Sequence, residues 1–129
     1  MIECAIIGDS IALGVAKYRE DCSLFATVGI TSTAFEKANY TPIGETTIIS
    51  LGSNDAGNNT EAALMKLRQR LTSKRVIWIM PAAHKKHVRD IIQRVSDRFQ
   101  DRIVEMRLVG FDGIHPTVDG YIDLARRTK

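Results

Sequence analysis

Only two cysteines, Cys4 and Cys22, occur in the 129 residues of the chain. That number is too low for a disulfide scaffold, and the two lack the clustered spacing of a zinc site. Both are expected as free thiols, with Cys4 a small hydrophobe in an apolar strand; a bond between them requires the first two strands to be neighbours. Long apolar runs are also missing, and none approaches the roughly 20 residues that cross a bilayer. The first strand-like run begins at Ile2, which leaves no room for a charged segment, an apolar stretch and a cleavage site. A soluble chain is therefore expected, cytoplasmic or released by a route the sequence does not display. Aromatic residues make up just 6% of the chain, few stacking platforms for a nucleic acid, and no nucleic-acid motif is present. The net charge of +3 is mild, and its basic residues are scattered among Lys74-Arg75, Lys85-Lys86 and Arg126-Arg127 as solvated helix faces. A pI near 9 leaves room for weak attraction to anionic polymers, but nucleic acid is not an expected partner. Repeats, linkers and low-complexity segments are absent too.

What the chain does have is rhythm. Its 44% hydrophobic content suits one compact domain over residues 1–129 with a single core. Strand-like segments near 2–7, 23–28, 46–51, 75–80 and 102–108 alternate with amphipathic stretches. Arg75-Val76-Ile77-Trp78-Ile79-Met80 is a continuous apolar run of the kind covered on both faces, and Pro81 closes it. Ala62, Ala63, Leu64, Leu67 and Leu71 recur at helical spacing, as do Val88, Ile91, Ile92, Val95 and Phe99. The architecture expected is α/β: a flavodoxin-like, three-layer αβα sandwich on a five-stranded parallel sheet with right-handed crossovers.

Three segments place reactive residues at strand ends. Gly8-Asp9-Ser10-Ile11 follows the first apolar run, so the Ser10 hydroxyl stands where a strand gives way to a helix, and Gly8 permits the sharp turn. Asp and Ser are also ordinary N-cap residues. Asp112-Gly113-Ile114-His115-Pro116-Thr117 sets a carboxylate three residues before an imidazole, in a turn marked by Gly113 and Pro116 ahead of a last helix. If Asp112 holds one ring nitrogen, the other is a base of fixed tautomer, as activation of a serine hydroxyl requires. Taken singly, Asp112 would be a turn cap and His115 a surface residue. Between these segments, Thr46-Thr47-Ile48-Ile49-Ser50-Leu51 runs into Gly52-Ser53-Asn54-Asp55, and the Asn54 amide is suited to donate to an oxyanion. In a parallel sheet all these strands end on one edge, where ligands bind in open α/β folds.

Together Gly8-Asp9-Ser10, the isolated Gly29 after the second strand, Gly52-x-Asn54-Asp55 and Asp112-x-x-His115 resemble the SGNH/GDSL hydrolase family over nearly the whole chain. The resemblance implies Ser10 as nucleophile, His115 as base and Asp112 as its orienting partner. It implies an oxyanion hole built from the backbone N–H of Ser10, Gly29 and Asn54. It further implies two-step acyl transfer from an ester, with no metal and no organic cofactor. Ile11 stands where the family often has leucine, a change that keeps an apolar residue. The chain is short for the family, so the loops that wall a substrate pocket are expected to be reduced. An open groove of that kind suits acetyl or other short acyl groups on a large carbohydrate or cell-envelope glycan.

Other candidates receive ordinary roles. His84 and His87 stand three apart, but Lys85 and Lys86 lie between them and no third ligand is near in sequence, so no metal is expected there. Asp9 and Asp55 are expected to hold their loops by accepting N–H bonds. Asp119, Gly120 and Tyr121 are assigned to packing of the final helix. Two other functions compete: a glycosidic hydrolase such as a peptidoglycan hydrolase using Asp9, Asp55 or Asp112, and a module that binds glycan without turnover. The oligomeric state is not legible.

Overall fold

A computed structural model describes residues 2–40 and 44–129. Ten elements alternate along the chain: β1 (Ile2–Gly8), α1 (Ser10–Ala16), β2 (Ser23–Ala26), α2 (Ser32–Lys37), β3 (Gly44–Ser50), α3 (Thr60–Arg70), β4 (Arg75–Met80), α4 (Lys86–Phe99), β5 (Arg102–Glu105) and α5 (Val118–Arg127). The five strands are all parallel, in the order β2-β1-β3-β4-β5. This is the α/β sandwich the apolar rhythm predicts. Two strands are shorter than expected, β2 ending at Ala26 and β5 at Glu105, because pairing stops there although the apolar sequence runs on.

Alternation along the strands sorts side chains into two cores. Ala5, Ile7, Ile49, Trp78 and Met80 face one side, where Phe35 of α2, Leu64 and Leu67 of α3, and Val88, Ile91, Ile92 and Val95 of α4 cover them. Cys4, Ile6, Ile48, Ile77, Ile79 and Val104 face the other, beneath Ile11, Ala12 and Val15 of α1 and Leu124 and Ala125 of α5. This period-two partition is why the central strands read as unbroken apolar runs: both faces are buried. The chain reverses its direction of travel across the sheet at β1. It steps from β1 to the edge at β2, then crosses back to β3 and on to β4 and β5. The strand ends at the β1/β3 boundary therefore form a topological switch point, where loops diverge and leave a crevice.

The cysteines overturn the free-thiol expectation. Cys4 and Cys22 form a disulfide, with Cα atoms 4.5 Å apart. The cause is register. Ala5 of β1 pairs with Ser23 of β2, which brings the preceding residues Cys4 and Cys22 side by side. Nothing in the composition prints that register. On the chain-entropy account, closing a loop of 18 residues restricts the unfolded state by about 3 kcal/mol. The double variant Cys4→Ala/Cys22→Ala should therefore melt about 10 °C lower in a thermal scan under oxidising conditions, and dithiothreitol should lower the wild type to a similar midpoint. A wild type indifferent to reductant would mean that the bond contributes nothing.

Candidate active site

Gly8 ends β1 between two neighbours, Ala26 of β2 and Ser50 of β3. Its φ of +135° lies where side chains are rarely tolerated, and a Cβ there would run into the Ser50 carbonyl. The carbonyl of Ser50 instead accepts the N–H of Asp9 at 2.9 Å, and the Gly8 carbonyl accepts that of Thr27 at 3.0 Å. The turn is thus locked to both flanking strands before the helix begins.

Asp9 is the N-cap of α1. Its Oδ1 accepts the N–H of Ile11 at 3.1 Å and the hydroxyl of Ser50 at 2.9 Å. The side chain is wholly buried, and burial raises its pKa to about 6 despite the opposing hydrogen bonds from Ser50 and Ile11. Sequence reasoning predicts the capping role but misses Ser50, whose position at the end of an apolar strand gives no polar signal. Asp9 is a positioning group: Oδ1 holds the turn, while Oδ2 is enclosed without a hydrogen-bond partner among the described residues.

Ser10, the first residue of α1, is partly exposed and lies 2.8 Å through Oγ from Nε2 of His115, 105 residues away. His115 is delivered by the segment between β5 and α5. That segment is tied at its base by a bridge between Val109 and Pro116, with Gly110 N–H on the His115 carbonyl at 2.8 Å and Thr117 N–H on the Leu108 carbonyl at 2.9 Å. At its tip Asp112 gathers three donors. Oδ1 accepts the N–H groups of Ile114 and His115, each at 2.9 Å, and Oδ2 lies 2.6 Å from Nδ1 of His115. The backbone N–H of His115, then that of Ile114, then the imidazole lower the Asp112 pKa to about 2. An ionised carboxylate has no proton to give, so Nδ1–H is the donor in that pair. In the neutral imidazole Nε2 then carries the lone pair and accepts from the Ser10 hydroxyl.

The two other sequence-predicted residues sit on adjoining loops of the same edge. Gly29 has φ +77° in the turn after β2, and open space surrounds the position a Cβ would take. Asn54 is exposed beyond β3, and its amide donates to the Ile30 carbonyl at 3.1 Å, which joins its loop to that of Gly29. One amide hydrogen is used there, and among the described residues no acceptor takes the second. Asp55 anchors the same loop: Oδ1 accepts the Ser32 N–H and Oδ2 the Thr60 hydroxyl, both at 2.8 Å. This is the holding role expected of it. Among the described residues, no hydrogen bond links Ser10 to Gly29 or Asn54. Structure therefore brings Ser10, His115 and Asp112 into one bonded chain, and it joins Gly29 and Asn54 through their loops.

The remaining candidates lie elsewhere or serve packing. His84 and His87 line a cavity of about 280 Å³ with Asp55, Lys85 and Lys86. Among the described residues no cluster of three or more metal-ligating side chains occurs. Tyr121 packs its ring against Gly14 of α1, as expected for the final helix. Burial, and after it the charges of Asp9 and Asp112, push its pKa up. A larger cavity of about 1000 Å³, lined by Glu3, Cys4, Arg19, Glu45 and Arg75 among others, contains none of Ser10, Gly29, Asn54, Asp112 and His115.

The Asp9 carboxyl makes stability depend on pH in a definite sense. Its folded pKa of about 6 exceeds the ordinary 3.8, so the unfolded chain releases this proton first as pH rises. Stability contributed by the neutral group is complete below pH 4, declines between 4 and 6, and stays lost above that. In Asp9→Asn the decline should vanish. Urea unfolding should show wild type losing about 2 kcal/mol relative to the variant between pH 4 and pH 7, and a constant difference would mean that Asp9 ionises freely.

No protein-family model and no curated protein sequence matches the chain. The fold, by contrast, has a clear counterpart. The C-terminal catalytic domain of Streptococcus pneumoniae peptidoglycan O-acetyltransferase A, solved with a methylsulfonyl adduct, superposes with a TM-score of 0.65. The likeness covers 98% of this chain and 91% of that one at 16% sequence identity. The chain shares the α/β fold of that catalytic domain, a five-stranded parallel sheet with helices on both faces.

Proposed function

We propose that the protein is a serine esterase that removes short acyl groups, acetyl foremost, from esters on a carbohydrate such as a cell-envelope glycan. The observation that carries this reading is the continuous hydrogen-bonded chain from Asp112 through His115 to Ser10, at 2.6 Å and 2.8 Å. A lone serine beside a histidine can arise from packing; a serine whose partner imidazole is itself oriented by an ionised carboxylate is the arrangement nucleophilic catalysis needs.

In the proposed reaction His115 Nε2 takes the Ser10 proton as Oγ attacks the ester carbonyl. Negative charge collects on the carbonyl oxygen, where the backbone N–H groups of Ser10 and Gly29 and the free amide hydrogen of Asn54 are the donors assigned to it. The open surroundings of Gly29 leave its backbone approachable. His115 then returns its proton to the leaving alcohol, and Ser10 keeps the acyl group. Water enters, gives a proton to His115 and displaces the carboxylic acid, and Ser10 regains its hydrogen. Asp112 stays ionised throughout and stabilises the imidazolium. No metal or cofactor enters these steps.

The fold neighbour is a peptidoglycan O-acetyltransferase domain, which favours a second reading: a glycan hydroxyl, in place of water, accepts the acyl group from Ser10. Both reactions share every step up to acyl-Ser10. The Cys4–Cys22 disulfide supports a working place in an oxidising compartment, which suits an envelope substrate. Glycosidic hydrolysis is less well supported. Asp9 is enclosed, both oxygens of Asp55 are bonded at the starts of α2 and α3, to Ser32 and Thr60, and Asp112 is spent on His115.

Methylsulfonyl fluoride should label Ser10, and the enzyme should release acid from p-nitrophenyl acetate faster than from the octanoate. Ser10→Ala or His115→Ala should reduce kcat by about 10⁴-fold or more. Asn54→Ala should lower kcat by about 10²-fold with little change in KM. Acid release that survives in Ser10→Ala would overturn the assignment. A protein that resists labelling yet is retained on a glycan column would be a binding module, and reducing ends without acid would signal the glycosidic reaction.

A further inference from the structure

Phe111 is the most exposed large apolar side chain of the described residues, with a relative accessibility of 114%. Its ring touches essentially nothing, so burial in this fold does not explain it. Its position is nonetheless fixed. Phe111 immediately precedes Asp112, in the turn closed by the Gly113 N–H on the Gly110 carbonyl at 3.1 Å and by the bridge between Val109 and Pro116. The three donors on Asp112 hold the residues that follow. A hydrogen-bonded turn thus presents a bare aromatic residue next in sequence to Asp112, the partner of His115.

We infer that Phe111 is a stacking platform for a pyranose ring of the glycan that carries the ester, an inference that rests on the esterase reading above. Ring shape decides between occupants. A short acyl chain removes little apolar area from water against a single open face, and a side chain at full exposure has no neighbours to enclose it further. A flat ring can cover one flat face of a sugar, whose C–H groups meet the electron-rich ring face while its hydroxyls stay in water. A platform one residue from Asp112 would set the sugar beside the reacting carbonyl, so the alcohol side of the ester, rather than the acyl side, is what Phe111 reads. Leu108 and Val109, also exposed on this segment at 48% and 38%, extend apolar surface along the same loop.

The test compares O-acetylated peptidoglycan fragments with triacetin, an acetyl ester that has no ring. Phe111→Ala should raise KM for the fragments about tenfold with kcat within about twofold, so that the ratio of kcat/KM for fragments to that for triacetin falls about tenfold. Phe111→Trp should restore it. In a Ser10→Ala background, calorimetry should show Phe111→Ala weakening fragment binding by the same factor. Equal losses on both esters would make Phe111 a loop-positioning residue and overturn the inference, as would no change on either. A dimer by sedimentation that Phe111→Ala dissociates would overturn it also, since a second copy would then be the ring's occupant. A wild type that hydrolyses neither ester defeats the esterase reading alone, because the calorimetric comparison still decides the role of Phe111.

Discussion

The Asp112 carboxylate is the contact on which the arrangement of the site depends. The segment leaving β5 has to return past β4 and β3 to reach Ser10 at the end of β1, about 14 Å at the usual strand spacing. A segment of that reach would ordinarily wander. Here one carboxylate collects the N–H groups of Ile114 and His115 together with the imidazole itself, all within three residues of its own position. Because the partners are so near in sequence, little additional chain entropy opposes the closure. One group therefore shapes the turn, fixes the ring plane and selects the proton-bearing nitrogen. Exposure weakens each of these bonds in water, and their local geometry offsets that weakness.

The opposite wall of the site is positioned by burial instead of exposure. Asp9 is closed off from solvent at the junction of β1, α1 and β3, and it holds the helix start and the Ser50 hydroxyl with a single oxygen. Keeping a carboxyl there costs folding stability near neutral pH, as its raised pKa records. In return, the residue after it emerges in one orientation only. A buried acidic group next to the Ser10 hydroxyl is thus a fixed joint, and the two carboxylates divide the work by environment: one ionised at the surface, one largely protonated below pH 6 inside.

Much of this was readable from residue order, and the exceptions share a cause. Five apolar runs ending in small or polar residues imply parallel strands, and parallel polarity alone sends Ser10, Gly29, Asn54 and the Asp112–His115 segment to one edge. Asp112 and His115 could be paired because their bond is local. The Cys4–Cys22 bond, the Ser50–Asp9 contact and the joining of Asn54 to Ile30 depend on register between distant strands or loops. Register comes from packing two cores at once, and no window of sequence contains it. The exposure of Phe111 was hidden for the converse reason. An aromatic residue in sequence reads as core material, and only coordinates reveal that the turn around Gly110 and Gly113 points it away from both cores.

The accessibility of the site bears on the kind of substrate that suits it. His115 and Asp112 keep 42% and 50% of their side-chain surface open to water, and water at that level screens the charges that develop as a hydroxyl attacks a carbonyl. Oxyanion donors act most strongly where water is excluded. With short loops, the walls that exclude it must be supplied by something other than the chain. Under the proposed reaction, a small ester would leave Ser10, His115 and Asp112 wet on every side, whereas a polymer lying across the strand ends would cover them and raise the worth of each proposed donor. On the proposed reading, a compact fold that commits its residues to orienting Ser10 and His115, and leaves their shielding to the substrate, would be better matched to acyl groups carried on a long glycan than to free small esters.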